Sequence, residues 1–233
     1  MLFLLLFFLL LFGAAFYCSV HILQWLVGYL SAAYNVNVAI LSPMEAVLNI
    51  MQLALLLLLI IGLPALLLWA VSYVRPALYA HERRYLHYVP LSLIFGLLGS
   101  AFGWYLATSV FLPYFENFSR MLNVQNIWSL NYLLGFVLTN LLVFFLVFQI
   151  PLVVIILRGL GFIKTAKLAS LRKIVILISV VVGALITPPD AVSQLIVALP
   201  FYLLFELSIQ YCRLKEKIQA REKRPPRKKR GKK

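Results

Sequence analysis

The chain has 233 residues, 64% of them hydrophobic and 12% charged, with a mean hydropathy of +0.98. A soluble domain carries about twice that share of charge, so the composition excludes an ordinary water-soluble fold and indicates an integral membrane protein. The formal net charge of +14 does not mark a nucleic-acid partner, because the basic residues are confined to segments outside the apolar runs.

Six apolar runs follow one another, each near the length needed to cross about 30 Å of hydrocarbon as a helix. The first covers residues 2–27. Its start, Met1 to Phe12, has no charged leading region and is read as part of a span, not as a cleaved secretory leader. Cys18 here and Cys212 near the other end do not make a disulfide framework. The second run covers 46–74 and holds Pro64, which removes a backbone donor and is expected to bend its helix.

Between the second and third runs, Arg75 to Arg84 places three arginines around one carboxylate, Glu82. An anion held at a bilayer surface among cations is either neutralised by them or kept for an incoming cation. Glu82 is expected to be kept for a ligand. The third run, 88–111, carries Ser92, Gly96 and Ser100 at four-residue spacing, and Gly99 and Gly103 likewise. Small residues on one helical face let backbones approach closely.

The fourth run, 130–157, holds Asn131, Asn140, Gln149 and a bend at Pro151. Asn131 and Gln149 are five full turns apart and share a face on a straight helix; Asn140 points away and is expected to hydrogen-bond to another helix. Gln149, beside the bend, is the better candidate for lining a hydrated cavity. The fifth run, 174–186, amounts to only about 22 Å of helix, short of the hydrocarbon thickness. After Thr187-Pro188-Pro189, Asp190 is placed to cap the sixth helix, 192–211, which contains Gln194, Pro200 and Glu206. Residues 1–212 therefore form a transmembrane domain. Residues 213–233 form a basic tail, expected to be disordered and attracted to anionic membrane lipid.

Three of the 21 Lys and Arg lie in 75–84, five in 158–173 and twelve in 213–233, with Arg120 alone elsewhere. Basic clusters in alternate connections place both termini on the cytoplasmic side. His21, His81 and His87 have no partners at metal-ligand spacing, no Gly-rich phosphate loop is present, and Gly99-Ser100 has no histidine base at its depth. The expectation is a non-enzyme with no metal and no cofactor.

Three ordered motifs carry a resemblance. They are Pro76-Ala-Leu-Tyr-Ala-His-Glu-Arg-Arg84 preceded by Tyr73; Phe148-Gln-Ile-Pro151 followed by Gly161 and Leu171-Arg-Lys173; and Thr187-Pro-Pro-Asp190 followed by Gln194, Pro200 and Phe205-Glu206. From about Leu41 to Tyr211 the chain resembles TatC, the core subunit of the twin-arginine protein translocase. The resemblance implies an all-α polytopic membrane protein, a concave bundle of six transmembrane helices with the last two short. It implies a receptor in the cell inner membrane, or in an organellar one, that binds twin-arginine signal peptides. With TatA- and TatB-type single-span partners it would move folded proteins across the membrane on the proton-motive force.

On that resemblance Glu82 meets the arginine pair, with Tyr73 and His81 bordering it. Pro43 and Glu45 match the outer-loop motif capping the concave face, and Gln149 the position facing that concavity. The fifth and sixth helices would dock a partner. The family's N-terminal His-Leu-x-Glu-Leu-Arg pattern has no match from Met1 onward: either the native chain starts upstream of Met1, or signal recognition rests largely on Glu82. A solute permease and a non-transporting homologue are the alternative readings.

Overall fold

The computed structural model describes residues 2–34, 37–74, 88–121, 127–187 and 190–222, with side chains described at 6–34, 38–62, 90–117, 121, 127–187 and 190–218. Glu82 and His81 lie outside the described residues, as do Pro188, Pro189 and 223–233; for Tyr73 only the helical backbone is described.

In hydrocarbon a backbone must satisfy its own polar groups, so the long apolar runs become helices. The first two are α1 (Leu2–Tyr34) and α2 (Pro43–Val74), the latter unbroken at Pro64. The third run is α3 (Tyr88–Tyr105), a π-helical segment (Leu106–Phe111) and α4 (Leu112–Met121), so the helical path runs past its expected end at Phe111. The fourth is α5 (Leu130–Val147) and α6 (Ile150–Gly159). A short α7 (Thr165–Ser170) leads to α8 (Arg172–Ile186) and α9 (Ala191–Glu222).

Five of these paths are long and apolar enough to cross a bilayer, covering Leu6–Tyr34, Pro43–Gly62, Pro90–Asn117, Leu130–Gly159 and Ala191–Ile218. Helix α8, with 15 residues, is shorter, as its sequence implied. The sixth helix differs from expectation. It was expected to be short, but α9 has 32 residues and passes through Pro200 into the basic segment as far as Glu222. Successive lysines, arginines and glutamates there are good helix formers, so the helix continues where disorder was expected.

Among the described residues two short strands interrupt the helices, which the apolar runs did not predict. The structure pairs β1 (Asn37–Ala39) with β2 (Ile127–Ser129) in parallel, Val38 opposite Trp128, which ties the α1–α2 connection to the start of α5.

The break between α5 and α6 has a simple cause. Pro151 has no N–H to give back to Val147, and the preceding turn tightens, with Gln149 N–H bonding to the Leu146 carbonyl at 3.0 Å. Helix α3 packs against α5, α1 against α2, and α8 against α9. The main core is leucine-rich, drawn from one face of α1 (Leu23, Leu26, Leu30), from α2 (Leu53, Leu56) and from α5 (Leu130 to Leu138).

The glycine spacing in α3 does what it implied. A Cβ at Gly103 would stand 2.6 Å from the carbonyl oxygen of Asn140, and one at Gly99 would overlap the Phe144 carbonyl. The two backbones touch.

Candidate functional site

Two ends of the bundle carry the polar chemistry. At the first end, Ser42 caps α2, its Oγ accepting from the Met44 N–H at 3.4 Å, and Pro43 takes the first helical position, where a missing N–H costs nothing. Glu45 lies three residues in from that cap. One oxygen of its carboxylate accepts the Leu41 N–H at 3.2 Å and the other the Ser129 hydroxyl at 3.1 Å. Glu45 thus binds the α1–α2 connection to the last residue of β2.

A ladder of neutral groups continues inward from Glu45 along α2 and α5. Asn49 donates to the Glu45 carbonyl at 2.7 Å and to Asn131 Oδ1 at 3.4 Å, and Gln52 donates to Thr139 Oγ1 at 3.2 Å. Residues 45, 49 and 52 share one face of α2, as 131, 135 and 139 do on α5, so the two helices meet rung by rung. Beside the ladder runs a groove of about 610 Å³, lined by Asn131, Gly135 and Thr139 on one side and by Leu185, Ile186 and Thr187 at the end of α8 on the other. Sequence reasoning missed Asn49, Gln52, Ser129 and Thr139. Their spacing was the available signal.

Gln149 does not line this groove. Its amide donates to the Ser92 carbonyl of α3 at 3.0 Å and to the Phe145 carbonyl at 3.4 Å, and the side chain is half-buried. The shared face with Asn131 assumed a straight helix; the break at 148–149 interrupts it. Gln149 therefore fastens the bend to α3. Asn140 also departs from expectation: it donates to the Phe136 carbonyl of its own helix at 2.9 Å, and among the described residues no bond from it crosses to another helix.

Asp190 caps α9. Its carboxylate accepts the Ser193 N–H at 2.9 Å and also the Ser193 hydroxyl. These bonds from Ser193, side chain first, hold its carboxyl below the usual aspartate value.

The second end holds the ion pairs. Arg172 grips Glu206 with two bonds, Nε to Oε2 at 2.8 Å and a terminal nitrogen to Oε1 at 2.5 Å. One helical stretch further along α9, Glu216 takes Arg158 at 3.0 Å and the Thr165 hydroxyl at 2.6 Å. Beneath them Val154, Leu168, Phe205, Ile209 and the buried thiol of Cys212 form a separate apolar cluster. The basic connection from Arg158 to Lys173 is thereby fixed along α9, at the same end of the molecule as Glu216. Among the described residues no group of His, Cys, Asp and Glu could hold a metal.

Comparison with known proteins matches this arrangement. Residues 1–200 fit the family model described as Sec-independent protein translocase protein (TatC). The chain is 32% identical to the TatC of Aquifex aeolicus over 203 residues, covering 84% of this chain and 83% of that protein. It is 32% identical to TatCy of Bacillus subtilis and 33% identical to the TatC of Escherichia coli K12, and the aligned stretches span 63% and 60% of those relatives. A crystal structure titled as the twin-arginine translocase receptor TatC superimposes with a TM-score of 0.70 at 30% identity, covering 91% of this chain and 94% of that one. Sequence, helix order and fold agree: the chain belongs to the TatC family of multi-pass membrane proteins.

Proposed function

We propose that this chain is a receptor subunit of a twin-arginine translocase. Glu82, bordered by Tyr73 and His81, receives the arginine pair of a signal peptide at the cytoplasmic surface. A carboxylate accepts guanidinium in a two-bond fork, whereas lysine offers a single point charge, so the site prefers Arg-Arg to Lys-Lys. The observation that carries this reading is the family match over residues 1–200, which includes the Arg75–Arg84 segment.

The charge distribution supports the orientation. The basic connection 158–173 lies against α9 at one end, joined by Arg158–Glu216 and Arg172–Glu206, while Glu45 and Asp190 sit at the groove end. Basic loops face the cytoplasm, so both termini are cytoplasmic and the groove opens to the opposite side, in a cell inner membrane. Single-span TatA- or TatB-type subunits dock on α8 and α9. The open faces of Leu185 and Leu195, 80% and 62% exposed, support that surface. The capped first loop borders the concave face.

The test is photo-crosslinking of a twin-arginine peptide to the full chain in vesicles. Strong labelling is expected for the unmodified protein, with loss in Glu82→Ala and Glu82→Gln and weak labelling by a twin-lysine peptide. Equal labelling across all of these would remove Glu82 from the role.

A further inference from the structure

The signal-peptide reading leaves one polar feature of the membrane region unused. Helix α1 buries Ala15, Ser19, Leu23, Leu26 and Leu30 against the bundle. At 100° per residue the opposite side is a face about 80° wide that holds Gly13, Tyr17, His21, Gln24 and Gly28. All five are exposed, Tyr17 at 69%. His21 meets only the edge of the Tyr17 ring, and among the described residues neither His21 nor Gln24 has a hydrogen-bond partner. Nothing lies within 4 Å of a Cβ built at Gly13 or Gly28.

Depth makes this arrangement informative. His21 stands near the middle of the apolar stretch Leu6–Tyr34, about 12 Å from Tyr29 and about 20 Å from Tyr34 along the axis. Wherever the bilayer surface lies between those tyrosines, imidazole and amide project into hydrocarbon, where lipid offers them no hydrogen bond. Such a face is covered by protein in the working assembly.

We propose that α1 pairs with α1 of a second copy of this chain through the Tyr17, His21, Gln24 and Gly28 face. The face is self-complementary, as a two-fold interface requires. His21 and Gln24 sit on its two flanks less than a turn apart, and each side chain can both donate and accept. In a parallel pair about an axis normal to the membrane, the imidazole of each copy meets the amide of Gln24 of the second copy. Both pairs form at once. A different single-span helix would have to bring its own polar pair at the same depth, whereas a second copy brings it by construction. Gly28 and Gly13, with open space above them, admit the close backbone approach that makes such bonds short. The stacked Trp25 and Tyr29, the latter against Trp104 of α3, wall off one side of the contact.

The pairing can be read in native membranes with the full chain carrying Cys18→Ala and Cys212→Ala. A single thiol is placed at Gly28→Cys, or at Ile22→Cys, which is exposed on a different face. Mild oxidation is expected to yield a disulfide-linked dimer of twice the chain mass at Gly28→Cys, about ten-fold more than at Ile22→Cys. Adding His21→Leu and Gln24→Leu is expected to lower that yield about five-fold with the same amount of protein in the membrane. Equal yields at the two thiols, an adduct of any other mass, or a yield indifferent to the double replacement would each overturn the proposal. The readout is independent of signal-peptide binding, so failure of the receptor reading leaves it unaffected.

Discussion

The α3–α5 seam and the α8–α9 hairpin are closed by opposite means. Along α3–α5, where Gly96 makes room for the Phe145 ring and Phe144, Phe145, Val137 and Leu138 are almost wholly buried, Gly99 and Gly103 bring backbone against backbone. Along α8–α9 a single glycine does this, Gly183, whose Cβ would stand 2.9 Å from the Gln194 carbonyl oxygen. Only Ser179 and Gly183 of α8 are buried, while Leu177, Val181 and Leu185 remain open. The hairpin is held at points instead: Gln194 to the Val180 carbonyl at one end and Arg172 to Glu206 at the other. A dense seam fixes a scaffold. A pinned hairpin leaves most of its surface to another molecule, which fits the docking role proposed for it.

The largest effect expected is at the seam. Gly103→Leu forces the side chain into the Asn140 backbone, and neither helix can withdraw without opening the core, so a loss of about 3 kcal/mol or more is expected. Thermal unfolding in detergent would show it. Gly183→Leu meets the same kind of obstacle, but α8 has few neighbours to disturb and can move aside, so a loss of about 1 kcal/mol is expected. Equal losses would mean the hairpin is as tightly fixed as the seam.

Next comes the charged pin. Glu206→Gln leaves the Arg172 guanidinium half-buried without its anion and is expected to cost about 1–3 kcal/mol. The pair is partly shielded, with side chains 34% and 20% exposed, so raised salt should weaken it only in part. A stability unchanged by the replacement would show that apolar contacts alone close the hairpin.

Asp190 ranks below it. Replacing this cap by Ala is expected to cost about 1 kcal/mol, with Asp190→Asn nearly neutral because an amide oxygen caps as well. The folded carboxyl titrates below its ordinary value, so its contribution is complete above about pH 4 and is lost as pH falls through the folded value. Unfolding followed from pH 7 downward should show that acid loss in the unmodified chain and not in Asp190→Asn.

How much of this was readable in the sequence follows from range. The small-residue spacing in α3 and the Asp190 cap are local patterns, and both hold. The Pro151 bend was also legible, yet its consequence for Gln149 was not: a break of two residues moves a side chain off the face that a straight helix would give it. The contacts of Glu45 with Ser129, Asn49 with Asn131 and Gln52 with Thr139 join residues more than eighty positions apart. They depend on the register of α2 against α5, which no local pattern encodes. The end of α9 was misplaced for a different reason, since loss of hydrophobicity at Tyr211 marks the end of a span and not of a helix. The recognition segment from Arg75 to Arg84 was read from charge and motif, and its side chains lie outside the described residues.

The smallest effect is the most discriminating for the hairpin. Gln194 donates to the Val180 carbonyl at 3.0 Å, and its own carbonyl lies over Gly183, so one residue supplies both the polar and the close contact. Gln194→Leu removes the first and leaves the second. Hydrogen bonds between membrane helices contribute about 0.6 kcal/mol on average, and a loss of that size is expected, because the Val180 carbonyl already accepts within its own helix. The change should appear as faster amide exchange at the C-terminal end of α8, with the α3–α5 seam unaltered. A loss of about 2 kcal/mol or more, or faster exchange reaching α5, would show that hairpin and seam form one cooperative unit.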